Sequence, residues 1–298
     1  LALENDQTKI YASNPDLNTY PQGTTFVYRS ANIYGSFRAA ARMNTNIVVF
    51  SDKTFVNKET ALAYLQELGL IDIIEEASGS IVLITPSKPE NGFGSADLTY
   101  FQNLQTVMLK QKASSKDGDI TTYYSDAEYF GGYGCEYYIG IDGGATFLNN
   151  YVSPAAATVG RVAGMLLING EMQGFRSVAT YVPVYLVNAQ SDVIEKYKAA
   201  NSTNASSFTG DIVSYFNQDL PLRRVVVAQD ENADVAAYIK DAYYNLFINA
   251  MRYSATGGTV PFSLCNRSAI LTGGNTQNGV NVTYHFEDRF SDVKTADG

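Results

Sequence analysis

The sequence predicts an α/β fold in which helices cover both faces of a mainly parallel β-sheet. Short apolar runs rich in β-branched residues alternate with segments of helical spacing through most of the 298 residues. This alternation is typical of parallel strands that are buried on both faces. In addition, the apolar run 137–141 leads into the turn Gly140-Ile141-Asp142-Gly143-Gly144. Glycines flanking a turn from strand to helix let the two backbones approach closely.

The first half of the chain supplies four of the predicted elements and a lead-in. The apolar runs and helical periods predict strands over 24–30 and 37–42 as an antiparallel lead-in, a buried strand over 46–50, a helix over 58–68 that stops at Gly69, a buried strand over 80–86 and a helix over 97–110. The polar segment 113–134, rich in glycine and tyrosine, predicts a surface excursion.

The second half repeats the alternation. It predicts a strand over 137–141 with a helix from Gly144, strands over 162–168 and 182–187, a loop over 199–209, a strand over 224–228, a long helix over 234–253, a loop over 254–279 and a last strand over 281–286. We expect one domain over 1–286. Residues 287–298 are expected to be a tail or the start of a following segment.

Composition excludes several classes of protein. The chain has 21 basic and 30 acidic residues, a formal net charge of −9, which argues against a nucleic-acid partner because phosphate binding needs a clustered positive surface. There is no run of about 18 apolar residues, so no membrane span is expected. The 22 tyrosines leave two interpretations open, a tyrosine-rich binding surface or a bias of composition. Whether Cys135 and Cys265 pair is also open.

The order of strands around the Gly-x-Asp-x-Gly turn resembles the α/β-hydrolase superfamily. The run 182–192 is similar to the late strand whose loop carries the catalytic acid in that family. The run 46–51 is similar to the strand before the oxyanion-hole loop. Within the superfamily, the chain resembles the branch of polyhydroxybutyrate-depolymerase-like and feruloyl-esterase-like secreted esterases. This resemblance implies an extracellular or cell-surface location.

The resemblance also implies a site. Asp142 stands at the nucleophile position, where serine is usual, with Asp192 as the acid and His285 as the base. Gly143 would donate its backbone N–H to an oxyanion, and the loop that starts at Ser51 would supply the second donor. Other interpretations are open: Asp142 accepting hydrogen bonds at a helix N-terminus, Asp192 as the N-cap of a helix over 193–200, and His285 on a strand face.

Two functional hypotheses follow. The first is a catalytically degenerate α/β-hydrolase-fold domain with a binding or assembly role. The second is an active hydrolase of ester or epoxide substrates with Asp142 as nucleophile. We expect no cofactor and no metal, since one histidine and two cysteines exclude the common zinc patterns, although an oxygen-ligated calcium stays open. Expected partners are another protein, a further domain of the same polypeptide, or a polymer or small ester ligand.

Overall fold

The computed structural model of the protein describes residues 25–29, 45–77, 79–109, 111–117, 120–125, 134–253 and 263–267. The predicted strands over 37–42 and 281–286 lie outside these residues, and so does the segment 287–298. Those elements and the predicted domain boundary therefore stay predictions.

In the described part of the chain, nine strands form one sheet, and four more form two small two-stranded sheets. In chain order the strands are β1 (Thr25–Arg29), β2 (Thr45–Ser51), β3 (Gly79–Ile84), β4 (Gln111–Asp117), β5 (Ile120–Ser125), β6 (Glu136–Ile141), β7 (Gly164–Ile168), β8 (Val184–Val187), β9 (Ala205–Thr209), β10 (Ile212–Phe216), β11 (Arg224–Ala228), β12 (Ala250–Tyr253) and β13 (Ser263–Asn266).

The large sheet runs in the order β1-β3-β2-β6-β7-β8-β11-β10-β9. Its six central strands, from β3 to β11, pair in parallel. Antiparallel pairing is confined to β1 at one side and to β10 and β9 at the other. The predicted mainly parallel sheet with an antiparallel lead-in strand is thus confirmed. Since parallel strands share one direction, their carboxyl ends meet at the same edge, where the loops can form a site.

Helices follow most of the central strands. They are α1 (Lys58–Glu67), α2 (Leu70–Ala77), α3 (Ser95–Leu109), α4 (Gly143–Phe147), α5 (Ala156–Val159), α6 (Ser191–Ala200) and α7 (Val235–Asn245), with a π-helical turn over Leu148–Val152 and 3₁₀ turns over Pro89–Asn91 and Phe247–Asn249. The side chain of Asn57 caps α1 by accepting the N–H of Thr60 at 2.9 Å. The helix ends before Gly69, whose φ of 70° suits glycine. The prediction of this helix and its stop is confirmed.

Each buried strand supplies two cores, because successive side chains point to opposite faces of the sheet. In β2, Ile47 and Val49 pack in the core that also holds residues of α1, α2 and α7. Val48 and Phe50 pack in the opposite core, with residues of α3, α4 and α6. All seven residues of β2 are buried, which explains its continuous apolar run.

Tyrosine and cysteine side chains lie mainly in these cores. Most of the tyrosines whose exposure is described are buried, and among them only Tyr244 is classed as exposed. The tyrosine content therefore contributes mainly to packing in the described part of the chain. Cys135 and Cys265 are both buried and form no disulfide with each other.

Four segments differ from the prediction. The excursion over 113–134 holds most of the β4–β5 hairpin, and the predicted loop over 199–209 holds the end of α6 and the edge strand β9. The predicted helix over 234–253 ends at Asn245, and the chain then extends into β12. The predicted loop over 254–279 holds β13, which pairs with β12. The exposed edge strand β9 shows no alternation of apolar and polar residues. Strands β12 and β13 have four residues each, which is too short to show a clear period. None of the helices in the described part of the chain is long and apolar enough to cross a bilayer.

Candidate functional site

The centre of the site is the turn between β6 and α4. Asp142 has φ 51° and ψ −113°, a conformation that costs a non-glycine residue about 1–3 kcal/mol. Two backbone hydrogen bonds hold it: its N–H donates to the carbonyl of Ile168 at 2.9 Å, and its carbonyl accepts the N–H of Thr146 at 3.0 Å. This strained strand-to-helix turn is the geometry in which α/β-hydrolases present their nucleophile above the sheet.

The flanking glycines are required by packing. A Cβ on Gly140 would lie 2.6 Å from the Cα of Ala145, and a Cβ on Gly144 would lie 1.9 Å from the carbonyl oxygen of Phe50. Both contacts are with backbone, which has little room to move. The two glycines of the Gly-x-Asp-x-Gly pattern are therefore required because α4 packs closely against β6 and β2.

The carboxylate of Asp142 is exposed and starts a chain of side-chain hydrogen bonds along the carboxyl edge of the sheet. Its Oδ1 accepts Nδ2–H of Asn169 at 2.9 Å, and Oδ1 of Asn169 accepts Nδ2–H of Asn188 at 2.9 Å. Asn169 follows β7 and Asn188 follows β8. Each has a φ of 57°, a conformation that asparagine adopts more readily than most residues.

The chain continues to the loop after β11. Nδ2–H of Asn188 also donates to the carbonyl of Asp230 at 2.8 Å, and Oδ1 of Asn188 accepts the N–H of Asp230 at 2.8 Å. The carboxylate of Asp230 accepts the hydroxyl of Tyr238 at 3.2 Å. Burial raises the pKa of the Tyr238 hydroxyl, and the hydrogen bond to Asp230 raises it further. Amide side chains therefore connect the loops after β6, β7, β8 and β11.

The position expected to bind an oxyanion already faces a carboxylate. The N–H of Gly143 donates to Oδ2 of Asp52 at 3.3 Å, and Asp52 lies in the loop after β2. Ser51, the last residue of β2, is buried, and its Oγ lies 3.3 Å from the hydroxyl of Tyr64. Burial raises the pKa of Tyr64, and the charges of Asp142 and Asp52 raise it further. The loop after β2 thus supplies an anion next to Gly143.

Of the other two predicted catalytic residues, only Asp192 lies in the described part of the chain, where no hydrogen bond joins it to this network. Asp192 lies in the first turn of α6, where its carboxylate is 3.7 Å from Nζ of Lys196. The N-cap of α6 is Gln190, so the interpretation of Asp192 as the N-cap is wrong. The hydrogen bonds from Asp142 pass through Asn188 instead. His285 lies outside the described residues, and its approach to Asp142 stays a prediction.

Sequence reasoning missed four residues of the network: Asp52 as a partner of Gly143, and Asn169, Asn188 and Asp230. One signal was available for the asparagines. Each directly follows a buried apolar run, where asparagine tolerates the positive φ of a tight turn. Nothing local marks Asp52. Among the described residues no group of three or more His, Cys, Asp or Glu side chains is arranged to hold a metal ion.

Comparison with known proteins gives matches of structure only. No family model and no curated protein matches the sequence. An acetyl xylan esterase from Aspergillus awamori superposes with a TM-score of 0.46 at 10% identity, over 75% of this chain and 93% of the other. An uncharacterised protein from Capnocytophaga ochracea DSM 7271 superposes with a TM-score of 0.35 at 12% identity, over 75% of this chain and 59% of the other.

The fold itself is established by the sheet and the turn. A mainly parallel nine-stranded sheet is covered by helices on both faces, and a strained turn after its central strand β6 carries Asp142. The protein has an α/β-hydrolase-like fold.

Proposed function

We propose that this chain is a catalytically degenerate α/β-hydrolase-like domain, esterase-like in ancestry, that serves a binding or assembly role outside the cell or at its surface. The observation that carries the proposal is the contact of the Asp52 carboxylate with the N–H of Gly143. In an active esterase this N–H stabilises the negative charge that develops in the transition state.

An anion at this position opposes ester hydrolysis in two ways. It occupies a donor whose loss in a related site costs about 100- to 1,000-fold in rate. It also repels a developing oxyanion: two unit charges about 4 Å apart repel by about 1 kcal/mol in water and about 4 kcal/mol at a partly shielded site. Asp52 is exposed, so the lower part of that range applies.

The surroundings of Asp142 support the same proposal. Its carboxylate is oriented by the amide of Asn169, and an amide cannot remove a proton from water. Triad partners follow the nucleophile in the order acid, then histidine. In α/β-hydrolases the histidine stands in the loop after a late strand, whereas the loop after β11 in this chain has no histidine over 229–234, presents Asp230 and ties its backbone to Asn188.

An assembly role is supported by the far edge of the sheet. The edge strand β9 has the sequence Ala-Ser-Ser-Phe-Thr, without a charged residue or proline, and Phe208 on it is 73% exposed. Monomeric proteins usually protect such edges with charges, prolines or bulges. Two copies of the chain could therefore pair through β9.

The active hydrolase remains a second candidate, because one observation favours it. Asp142 keeps the strained conformation of a nucleophile, at a cost of about 1–3 kcal/mol, and strain of this kind persists mainly at functional sites. A carboxylate in this position attacks an alkyl carbon and forms an ester that water must open.

Catalysis is tested with p-nitrophenyl butyrate and styrene oxide. We expect the wild-type chain and Asp142→Asn to give the same rate as the buffer, and no mass increase on the peptide that holds Asp142. Turnover lost in Asp142→Asn, or styrene oxide bound to Asp142 in the mass spectrum, would support the hydrolase instead. Asp52→Ala reopens the donor of Gly143 and tests for latent activity.

Assembly is tested separately by multi-angle light scattering. We expect the wild-type chain to exceed its monomer mass of 32.5 kDa at high concentration and Phe208→Lys to return to that mass. A wild-type chain that stays at the monomer mass over the whole concentration range contradicts assembly through β9 and leaves the catalytic conclusion unaffected.

A further inference from the structure

A cavity lies at the amino edge of the sheet, opposite the edge that carries Asp142. It is a half-open cleft of about 200 Å³ between the starts of β8 and β11, the end of α7 and the chain leading into β12. Pro183, Leu246 and Ala250 form a buried apolar floor. Asn249 is exposed and lies at its mouth. The cavity thus combines an apolar interior with a polar opening.

Among the described residues, one charged side chain lines this cavity. Arg224, the first residue of β11, is half-buried, and its Nε is buried without a hydrogen-bond partner in the described part of the chain. Burial lowers the pKa of the guanidinium, and no carboxylate contributes to that shift. Its aromatic contact is with the ring of Phe216, 5.9 Å from the centroid. Removing a charge from water without an opposite charge is costly, so the site favours an anionic ligand.

We propose that this cavity binds a small organic monocarboxylate, with the carboxylate on Arg224 and the apolar body against Leu246 and Ala250. A guanidinium matches a carboxylate with two parallel N–H···O hydrogen bonds. The volume limits the ligand. A dry apolar cavity of about 150 Å³ holds benzene, so the space here suits a ligand of roughly eight to ten heavy atoms.

The lining separates this ligand class from inorganic anions. A phosphate dianion needs several donors or cations, whereas the described lining supplies one cation, Arg224, with the amides of Asn245, Asn249 and Asn266 beside an apolar floor. Burying an apolar ring or short chain on Leu246 and Ala250 adds affinity that phosphate cannot gain. The site is at the other edge of the sheet from Asp142, so the inference does not rest on the proposed function.

The test is a calorimetric titration of the full chain with benzoate and with benzamide, which has the same ring without the charge. We expect benzoate to bind one site at roughly millimolar affinity or tighter. Benzamide and the variant Arg224→Gln should each bind about ten- to a hundredfold more weakly, the usual value of a hydrogen bond to a charged group.

Two further variants make the result specific. Asn249→Trp keeps Arg224 and fills the mouth from an exposed position, so it should also abolish benzoate binding. Arg176→Gln is the matched control, because Arg176 also stacks on an aromatic ring and has an unpartnered Nε, but does not line the cavity. Its affinity for benzoate should stay within about twofold of the wild type.

Three outcomes would overturn the proposal. The first is that benzoate gives no heat of binding up to about 10 mM. The second is that the wild type and Arg224→Gln bind benzoate with equal affinity. The third is that inorganic phosphate binds as tightly as benzoate. Circular dichroism checks that each variant folds. If Arg224→Gln does not fold, the comparison of Asn249→Trp with Arg176→Gln decides.

Discussion

Replacing Gly144 by alanine tests whether packing alone accounts for the glycines of the turn. The new Cβ would lie 1.9 Å from the carbonyl oxygen and 2.4 Å from the carbonyl carbon of Phe50, and real Cβ atoms essentially never approach other atoms closer than 3.0 Å. Strand β2 and helix α4 would have to separate by about 1 Å in a close-packed region. Overpacking costs about 1–3 kcal/mol, and the high end applies because backbone must move.

Gly143→Ala is the matched control in the same turn. Its Cβ would lie 2.6 Å from Oδ2 of Asp52, the far end of an exposed side chain that can rotate away. The lost hydrogen bond costs about 1 kcal/mol, and alanine in a helix recovers about 0.5–1 kcal/mol relative to glycine. We therefore expect Gly143→Ala to change the free energy of unfolding by less than about 1 kcal/mol.

The assay is urea unfolding followed by far-UV circular dichroism, which needs no tryptophan. Gly144→Ala should lower the free energy of unfolding by about 3 kcal/mol or more, at an unchanged m-value. The reasoning is refuted if both variants lose the same stability, or if Gly143→Ala loses more. Either result would mean that the close approach of α4 to Phe50 does not determine where glycine is needed.

Three further predictions concern stability. Burial raises the pKa of Glu136 from 4.5 to about 7, so the folded protein holds a proton that the unfolded chain releases. The free energy of unfolding of the wild type should therefore fall by a few kcal/mol between about pH 4.5 and pH 7. Urea midpoints measured at pH 5 and pH 8 check this, and Glu136→Gln should remove the difference between them. Phe50→Ala opens the aromatic cluster of one core and should cost about 3–5 kcal/mol in the same assay. Its control is Phe175→Ala, which removes a ring that is 79% exposed and should lower the free energy of unfolding by less than about 1 kcal/mol. Arg252→Met removes the guanidinium N–H that donates to the carbonyl of Val162, and it should lower the free energy of unfolding by about 1–3 kcal/mol or more. An unchanged urea midpoint would contradict this prediction.

The sequence by itself determined the sheet and the turn. Strands such as β2 and β6 are buried on both faces, so each is a continuous apolar run that can be recognised without knowing its neighbours. The turn after β6 was recognised from its glycines, of which only Gly140 has a local reason, the clash of a Cβ with Ala145 in the next helix; the clash at Gly144 is with Phe50 of the distant strand β2. Edge strand β9 was missed, since its exposed residues show no apolar pattern.

Only the tertiary structure decided the chemistry of the candidate site. Asp52 and Gly143 are 91 residues apart, and Asp142 reaches Asn169 across 27 residues. These pairs meet because the parallel order of the sheet places the loops after β2, β6 and β7 at one edge. The buried Nε of Arg224 likewise has no hydrogen-bond partner in the described part of the chain, and Asn245 of α7 and Ala250 of β12 line the same cavity. Local sequence encodes which segments are buried, whereas the partners of a polar side chain depend on which loops the sheet brings together.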